Sequence, residues 1–289
     1  MLIYAIQIII FLLFGIIAFV AWRRHELWLY LLATVFAAFF ENIDVFISRG
    51  STGSYFYDDR LILHIIETPL FIILAWGFIF YSSYILAKGL SKKFWVQAAT
   101  VPLLATILDL GIDPIATKMG LWTWVGYSPT SGILGVPLAN FMGWYLVILA
   151  FMLVVRYVSH IDFLGHVGKY IVIPPAAFMV FYLFFMVFSF FATTTGIEMD
   201  RQFVYLQLFF VIFAGIAIIG WMMFPAKKIK IEKWHWLALL IARMSFYAFV
   251  IYGMIKFGFW QEMMYVELIA FSLVIEIAAN IKFKLHAKT

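Results

Sequence analysis

The chain has 289 residues, of which 66% are hydrophobic and 12% charged, with no cysteine and a formal net charge of +5. Soluble domains run at roughly 45–50% apolar and about 25% charged, so a soluble enzyme, a disulfide-stapled secreted domain and a disordered chain are excluded. What remains is an all-α, polytopic membrane helix bundle, because the apolar stretches are long and continuous rather than the alternating segments of a β-barrel.

A spanning helix needs roughly 20 apolar residues at a rise of about 1.5 Å each. In chain order, nine such stretches lie near 2–22, 27–47, 61–86, 94–117, 134–157, 169–192, 203–224, 234–257 and 260–281. No basic segment precedes the first and no small-residue cleavage motif follows it, so it reads as a span rather than a leader. Arg243, Glu267 and Glu276 interrupt the last two. A single transmembrane domain over 1–289 is expected, without repeat or low-complexity linker.

Nine spans put Arg23, Arg24, Lys88, Lys92, Lys93, Arg156, Lys169, Lys227, Lys228, Lys230, Lys233, Lys282, Lys284 and Lys288 on one side. Only Arg49, Arg60, Lys118, Arg201 and Lys256 fall on the other. The positive-inside rule then places the N-terminus outside and the C-terminus in the cytoplasm of a multi-pass cell-membrane protein. The basic residues are an orientation signal, and no nucleic acid is expected as a partner. The two longest loops, 48–60 and 118–133, would both face outward.

An ionisable residue inside a span costs about 2.5–3.5 kcal/mol on insertion scales and is a functional candidate. Glu41 and Asp44 stand near the end of the second span, and His64 and Glu67 at the start of the third. Asp109 and Asp113 stand near the end of the fourth, and Asn140 in the first turns of the fifth. Spacings of three and four put each pair on one helix face. Alternating helix direction brings all seven within about 12 Å of the same membrane face. Ordinary readings exist for most of them. Asp113 precedes Pro114 and could end its helix, Asn140 could be a cap, Glu41 and Asp44 could sit in headgroup water, and His64 could be interfacial. Asp109, about two turns inside the apolar run 98–108, is the hardest to explain away.

Arg243 reads as a structural ion pair with Glu276 or Glu267, or as a partner for the carboxylates. Trp122, Trp124, Tyr127 and Trp144 form either an interfacial belt or an aromatic wall beside the carboxylates, able to hold a carbocation.

Several chemistries lack their residues. There are too few histidines for a di-iron desaturase, no nucleophile-elbow motif, no phosphate-binding loop and no mid-span lysine for retinal. No metal site is expected. Acid–base work on a lipid-soluble substrate remains. A carboxylic acid protonates an electron-rich double bond, and a second carboxylate directs water to the resulting cation. Asp109, Asp113, Glu41 and Glu67 are the expected catalytic set, with Asp109 the deeper acid and Asp113 the group that orients water. Asp44, His64, Trp122, Trp124, Tyr127, Asn140 and Trp144 are the expected substrate contacts.

Three stretches carry a resemblance: Asp109-Leu-Gly-Ile-Asp-Pro114, Gly120-Leu-Trp-Thr-Trp124 and Gly135-Val-Pro-Leu-Ala-Asn-Phe-Met-Gly-Trp144. In this order they resemble the membrane-bound carotenoid biosynthesis proteins, which include the bisanhydrobacterioruberin and related C50-carotenoid hydratases. Glu41, Thr52-Gly-Ser-Tyr-Phe-Tyr57, Pro69 and Trp76 are similar to that family's first block, although Asn42-Ile43-Asp44 and a longer loop stand where the family has Gly-Val and Thr-Gly. The likeness covers roughly residues 40–145. It implies a cofactor-free hydratase that adds water to a terminal isoprenoid double bond, with a carotenoid or other polyisoprenoid and membrane lipid as its partners. It also implies kinship with integral-membrane lycopene cyclases. Two other readings stay open. Asp109-x-x-x-Asp113, with Glu41-x-x-Asp44 as a second acidic pair, is similar to intramembrane prenyltransferases of the UbiA type. A non-enzymatic carotenoid- or lipid-binding protein would keep the pocket without needing both carboxylates.

Overall fold

The computed structural model describes residues 2–194, 202–226, 229–230 and 232–288; Arg201, Lys227 and Lys228 of the orientation signal lie outside them. Among the described residues nine helices are long and apolar enough to cross a membrane. They are α1 (Leu2–Arg23), α2 (Leu27–Ser48), α3 (Leu70–Leu90), α4 (Phe94–Lys118) and α5 (Leu138–Val158). Then follow α6 (Gly165–Thr194), α7 (Gln202–Met223), α8 (Lys233–Phe257) and α9 (Met263–His286). Backbone groups inside a helix bond largely within their own segment, which is what hydrocarbon demands of a spanning chain.

α3 and α4 are the most buried helices. α3 packs against α1, α2, α4 and α9, α4 packs against α3, α5, α7, α8 and α9, and α6 lies on α2 and α5. Large apolar side chains such as Leu12, Met179 and Val211 are exposed on the outer helices. Small residues let α4 and α8 approach closely. A Cβ added at Gly111 would stand 2.8 Å from Val250, and one at Gly253 would stand 2.2 Å from Ile115.

Arg243 sits fully buried where α3, α4, α8 and α9 meet. Its guanidinium donates to both carboxylate oxygens of Glu276, each at 2.6 Å. It also donates to Ser82 and Ser83 on α3, at 3.1 and 2.8 Å, and to the Leu104 carbonyl on α4 at 2.8 Å. Asn280 donates to Glu276 at 2.8 Å. The partner is Glu276 rather than Glu267, whose carboxylate takes a long 3.4 Å bond from Gln207. Arg243 is a structural clamp and does not serve the other carboxylates.

The third span differs from expectation. The run 61–69 is apolar enough to extend a helix, but α3 begins only at Leu70. Pro69 forces the residue before it to be extended, and the chain instead turns back as a small hairpin. Its strands are β2 (His64–Ile65) and β3 (Thr68–Pro69), with Leu63 and Ile66 at φ of 56° and 60°. Asn42 on α2 secures the hairpin, its side-chain oxygen accepting from the Glu67 and Thr68 amides at 2.9 and 3.3 Å. α5 likewise starts at Leu138, after Pro137, rather than at 134. α4 runs through Pro114 to Lys118, so Asp113 does not end it.

The two long loops are not independent. β1 (Tyr55–Tyr57) and β4 (Trp122–Trp124) pair antiparallel, with Tyr55 opposite Trp124 and Tyr57 opposite Trp122. The Gly53 amide donates to the Val125 carbonyl at 2.9 Å, and the Val125 amide to the Ser54 carbonyl at 2.7 Å, extending the ladder. This sheet lies over the ends of α2 and α4.

Candidate active site

Side chains alternate across a strand, so Tyr55 and Tyr57 share one face with their cross-strand partners Trp124 and Trp122. That face points into the bundle, while Phe56 and Thr123 are exposed. The ring centroids of Tyr55 and Trp124 are 4.9 Å apart. The four rings roof a cavity with about 540 Å³ of empty space.

Glu41 enters this cavity from α2. Its Oε2 accepts hydrogen bonds from the hydroxyls of Tyr55 and Tyr57, at 2.6 and 2.7 Å. Burial, and then the Glu41 carboxyl beside them, push both phenols well above their usual range. Both therefore keep their protons and remain donors. Asp109 and Asp113 enter from α4, one helical turn apart on the same face. Asn140, in the first turn of α5, joins them: its amide donates to Asp109 Oδ2 at 3.2 Å and also to Asp113 Oδ2. The Asn140 side chain thus clasps two carboxyl groups and does not cap its own helix. Trp76 and Trp122 line the cavity beside these carboxyl groups. All three carboxyl side chains are buried.

Trp76 on α3 and Trp144 on α5 stack at 3.9 Å with their planes 12° apart, forming one wall. Ile72, Ile79 and Ile112 complete the apolar lining. The Nε1 of Trp124 is buried without a hydrogen-bond partner. Among the described residues, no Lys or Arg lines this cavity.

Of the expected site residues, Glu41, Asp109, Asp113, Trp122, Trp124, Asn140 and Trp144 all line this cavity. Asp44 and Tyr127 line an adjoining, larger chamber, into which Glu41, Trp124, Asn140 and Trp144 also face. His64 and Glu67 stand apart. Both are exposed on the far side of β1, in a pocket shared with Arg49 and Asp59, and Glu67 pairs with Arg49 at 2.6 Å. The physical reason is the late start of α3, which leaves both residues in the hairpin instead of a helix.

Tyr55, Tyr57 and Trp76 belong to the cavity but were not among the expected site residues. For the tyrosines a signal was present. Tyr-x-Tyr and Trp-x-Trp, each of period two beside a turn, mark two short strands that present rings to one face. Trp76 gives no such signal, being one aromatic residue in an apolar helix.

Residues 2–199 match a protein family described as carotenoid biosynthesis protein. The matched stretch runs from α1 through the whole of α6, contains every residue of the carboxylate cavity, and extends well beyond 40–145. No curated protein and no solved structure matches the chain.

Proposed function

The chain belongs to the carotenoid biosynthesis protein family, and on that premise we propose that it hydrates a terminal carbon–carbon double bond of a carotenoid or related polyisoprenoid within the membrane. The observation that carries this reading is the cavity. Three buried carboxyl groups face an aromatic chamber, and among the described residues their donors are the neutral Tyr55, Tyr57 and Asn140 side chains.

Asp109 transfers its carboxyl proton to the less substituted carbon of the terminal double bond, leaving a tertiary cation on the other carbon. Stacked Trp76 and Trp144, with Trp122 and Trp124, offer π faces worth about 0.5–2 kcal/mol each to that cation. Asp113 directs a water oxygen onto it and accepts the water's proton, and Asn140 holds the two carboxyl groups in register. One proton is given and one is taken, so the sum is addition of water and no cofactor is consumed.

Ring closure of the same cation, as in a cyclase, would instead end with loss of a proton and no added water. Prenyl transfer is less well supported, because a diphosphate calls for basic side chains and, among the described residues, neither cavity is lined by Lys or Arg. The test is mass spectrometry of pigments from a carotenoid-producing host expressing the chain. A gain of one water per modified end is expected. An unchanged mass with altered absorption would replace hydration by cyclisation, and unchanged pigments would replace it by binding alone.

The site is assigned to the outer membrane face, from the positive-inside asymmetry. A reporter fused after Thr289 should be active only on the cytoplasmic side; activity on the opposite side would reverse this placement.

A further inference from the structure

Next to the carboxylate cavity lies the larger chamber, with about 1270 Å³ of empty space between α2, α5, α6 and the β1 loop. The two share Glu41, Tyr55, Trp76, Trp124, Asn140 and Trp144, so they adjoin. The chamber's walls differ in chemistry. Asp44, Ser48, Ser51 and Thr52 line the loop side, whereas Ala139, Gly143, Val147, Phe181 and Phe185 line the helix side. Tyr182, at the rim on α6, is 45% exposed on a helix whose other outer residues face lipid.

Ala139, Gly143 and Val147 follow one another at four-residue steps, so they form one stripe of α5. At Gly143 an added Cβ would meet nothing within 4 Å. Gly15 and Gly215 share this openness but line neither cavity, whereas at Gly77, Gly89, Gly111, Gly220 and Gly253 an added Cβ would stand under 3 Å from a packed neighbour. Glycine inside a helix costs about 0.8–1.0 kcal/mol relative to alanine. Close helix packing does not account for Gly143, which opens onto empty space.

We propose that this chamber holds the unreacting chain of a linear isoprenoid, which lies along the Ala139–Gly143–Val147 stripe and passes its end beyond the Trp76–Trp144 stack to Asp109. The chain comes from lipid at the α6 rim, and the hydroxyl-lined wall opposite carries water to the same junction. Gly143 sets the bore. The proposal rests on the hydratase reading for its reaction, but not for its binding.

The experiment compares wild type with Gly143→Ala and Gly143→Leu, each confirmed monodisperse in detergent with a melting temperature near the wild-type value. The probes are a forty-carbon acyclic polyene and a ten-carbon acyclic isoprenoid alkene with the same terminal group. One methylene in an apolar pocket changes discrimination by about 10–200-fold. The long-to-short product ratio should therefore fall at least about tenfold in Gly143→Leu, and by less in Gly143→Ala, which carries the test if the leucine variant does not fold. An unchanged ratio in both overturns the chamber's role. If wild type hydrates neither probe, the hydratase reading fails separately, and binding decides the chamber. Induced circular dichroism of the bound polyene should be present in wild type and reduced in the variants. Equal signals in all three, or none in any, overturn it.

Discussion

Two clusters of buried carboxylates are built on opposite terms. Around Glu276 both oxygens face the Arg243 guanidinium, and the arginine's remaining donors reach two serines and a carbonyl. Glu26, between α1 and α2, is treated the same way, with Lys88 at 2.9 Å and Arg24 at 3.0 Å. Burial opposes its ionisation, but Lys88 and Arg24 outweigh burial and hold it below the usual carboxylate range. Among the described residues, Glu41, Asp109 and Asp113 receive phenol and amide donors and no cationic one. A compensated carboxylate holds helices together and cannot move a proton without breaking an ion pair. A carboxyl group among neutral donors carries no such constraint. Its burial costs stability, and the proposed proton transfer at this spot would account for that cost.

Swapping the loss between the clusters gives the largest expected effects. Asp109→Asn removes the transferable proton and keeps the shape. Hydrated product should fall by about 10²–10⁴-fold, the usual worth of a general acid, with the melting temperature in detergent unchanged. Asp113→Asn should leave measurable product, enriched in elimination relative to hydration. A dead Asp113→Asn beside an active Asp109→Asn would exchange their roles. Two active variants would move the acid to Glu41. Arg243→Leu should do the reverse of Asp109→Asn. It strands Glu276 in the core, which costs about 3–5 kcal/mol, so folded yield and melting temperature should drop. The double variant Arg243→Leu/Glu276→Leu should regain most of the stability. If Arg243→Leu keeps wild-type stability but loses activity, the two clusters are not separate in role.

A middling effect is expected where the loops meet the site. Tyr55→Phe and Tyr57→Phe each delete one hydroxyl that donates to Glu41 Oε2. A net hydrogen bond of this kind is worth about 0.5–1.5 kcal/mol, so product yield per folded protein should fall by up to about tenfold for either change. The double variant should lose more than the two single losses combined, because the first deletion leaves Glu41 one donor and the second leaves it neither hydroxyl. Additive losses would show that the phenols shape the roof without acting through Glu41.

Hydropathy makes the nine spans legible because a membrane imposes length and apolarity on each one separately. The depth of Glu41, Asp109, Asp113 and Asn140 is legible for the same reason: polar residues on successive helices are placed by counting along a fixed rise. The pairing of β1 with β4 is harder to read, since it joins loops more than sixty positions apart in the chain, although Tyr55-x-Tyr57 and Trp122-x-Trp124 carry its period. Trp76 is marked by the family resemblance alone; its stacking on Trp144 depends on how α3 meets α5. The error at Glu67 has a single source. Residues 61–69 satisfy hydropathy as well as a helix does, and only Pro69, together with left-handed backbone at Leu63 and Ile66, turns them into a hairpin.

That error yields the smallest and most discriminating effect, since Glu41 and Glu67 were both expected in the catalytic set. Glu41 is buried in the cavity, whereas the Glu67 side chain is 45% exposed and meets Arg49, itself 61% exposed. Exposed ion pairs contribute about 0–1 kcal/mol, and salt screens them. Glu67 also offers its backbone amide to Asn42, a bond that survives any side-chain change. Glu67→Gln should therefore leave both melting temperature and hydrated product close to wild type, while Glu41→Gln in the same assay should lose most of the product with the fold retained. The measurement is product per folded protein for both variants, side by side. A strong loss in Glu67→Gln would mean that the hairpin swings inward during turnover and brings Glu67 to the carboxyl groups. Equal, small losses in both would remove Glu41 from the chemistry and leave the α4 pair to act alone.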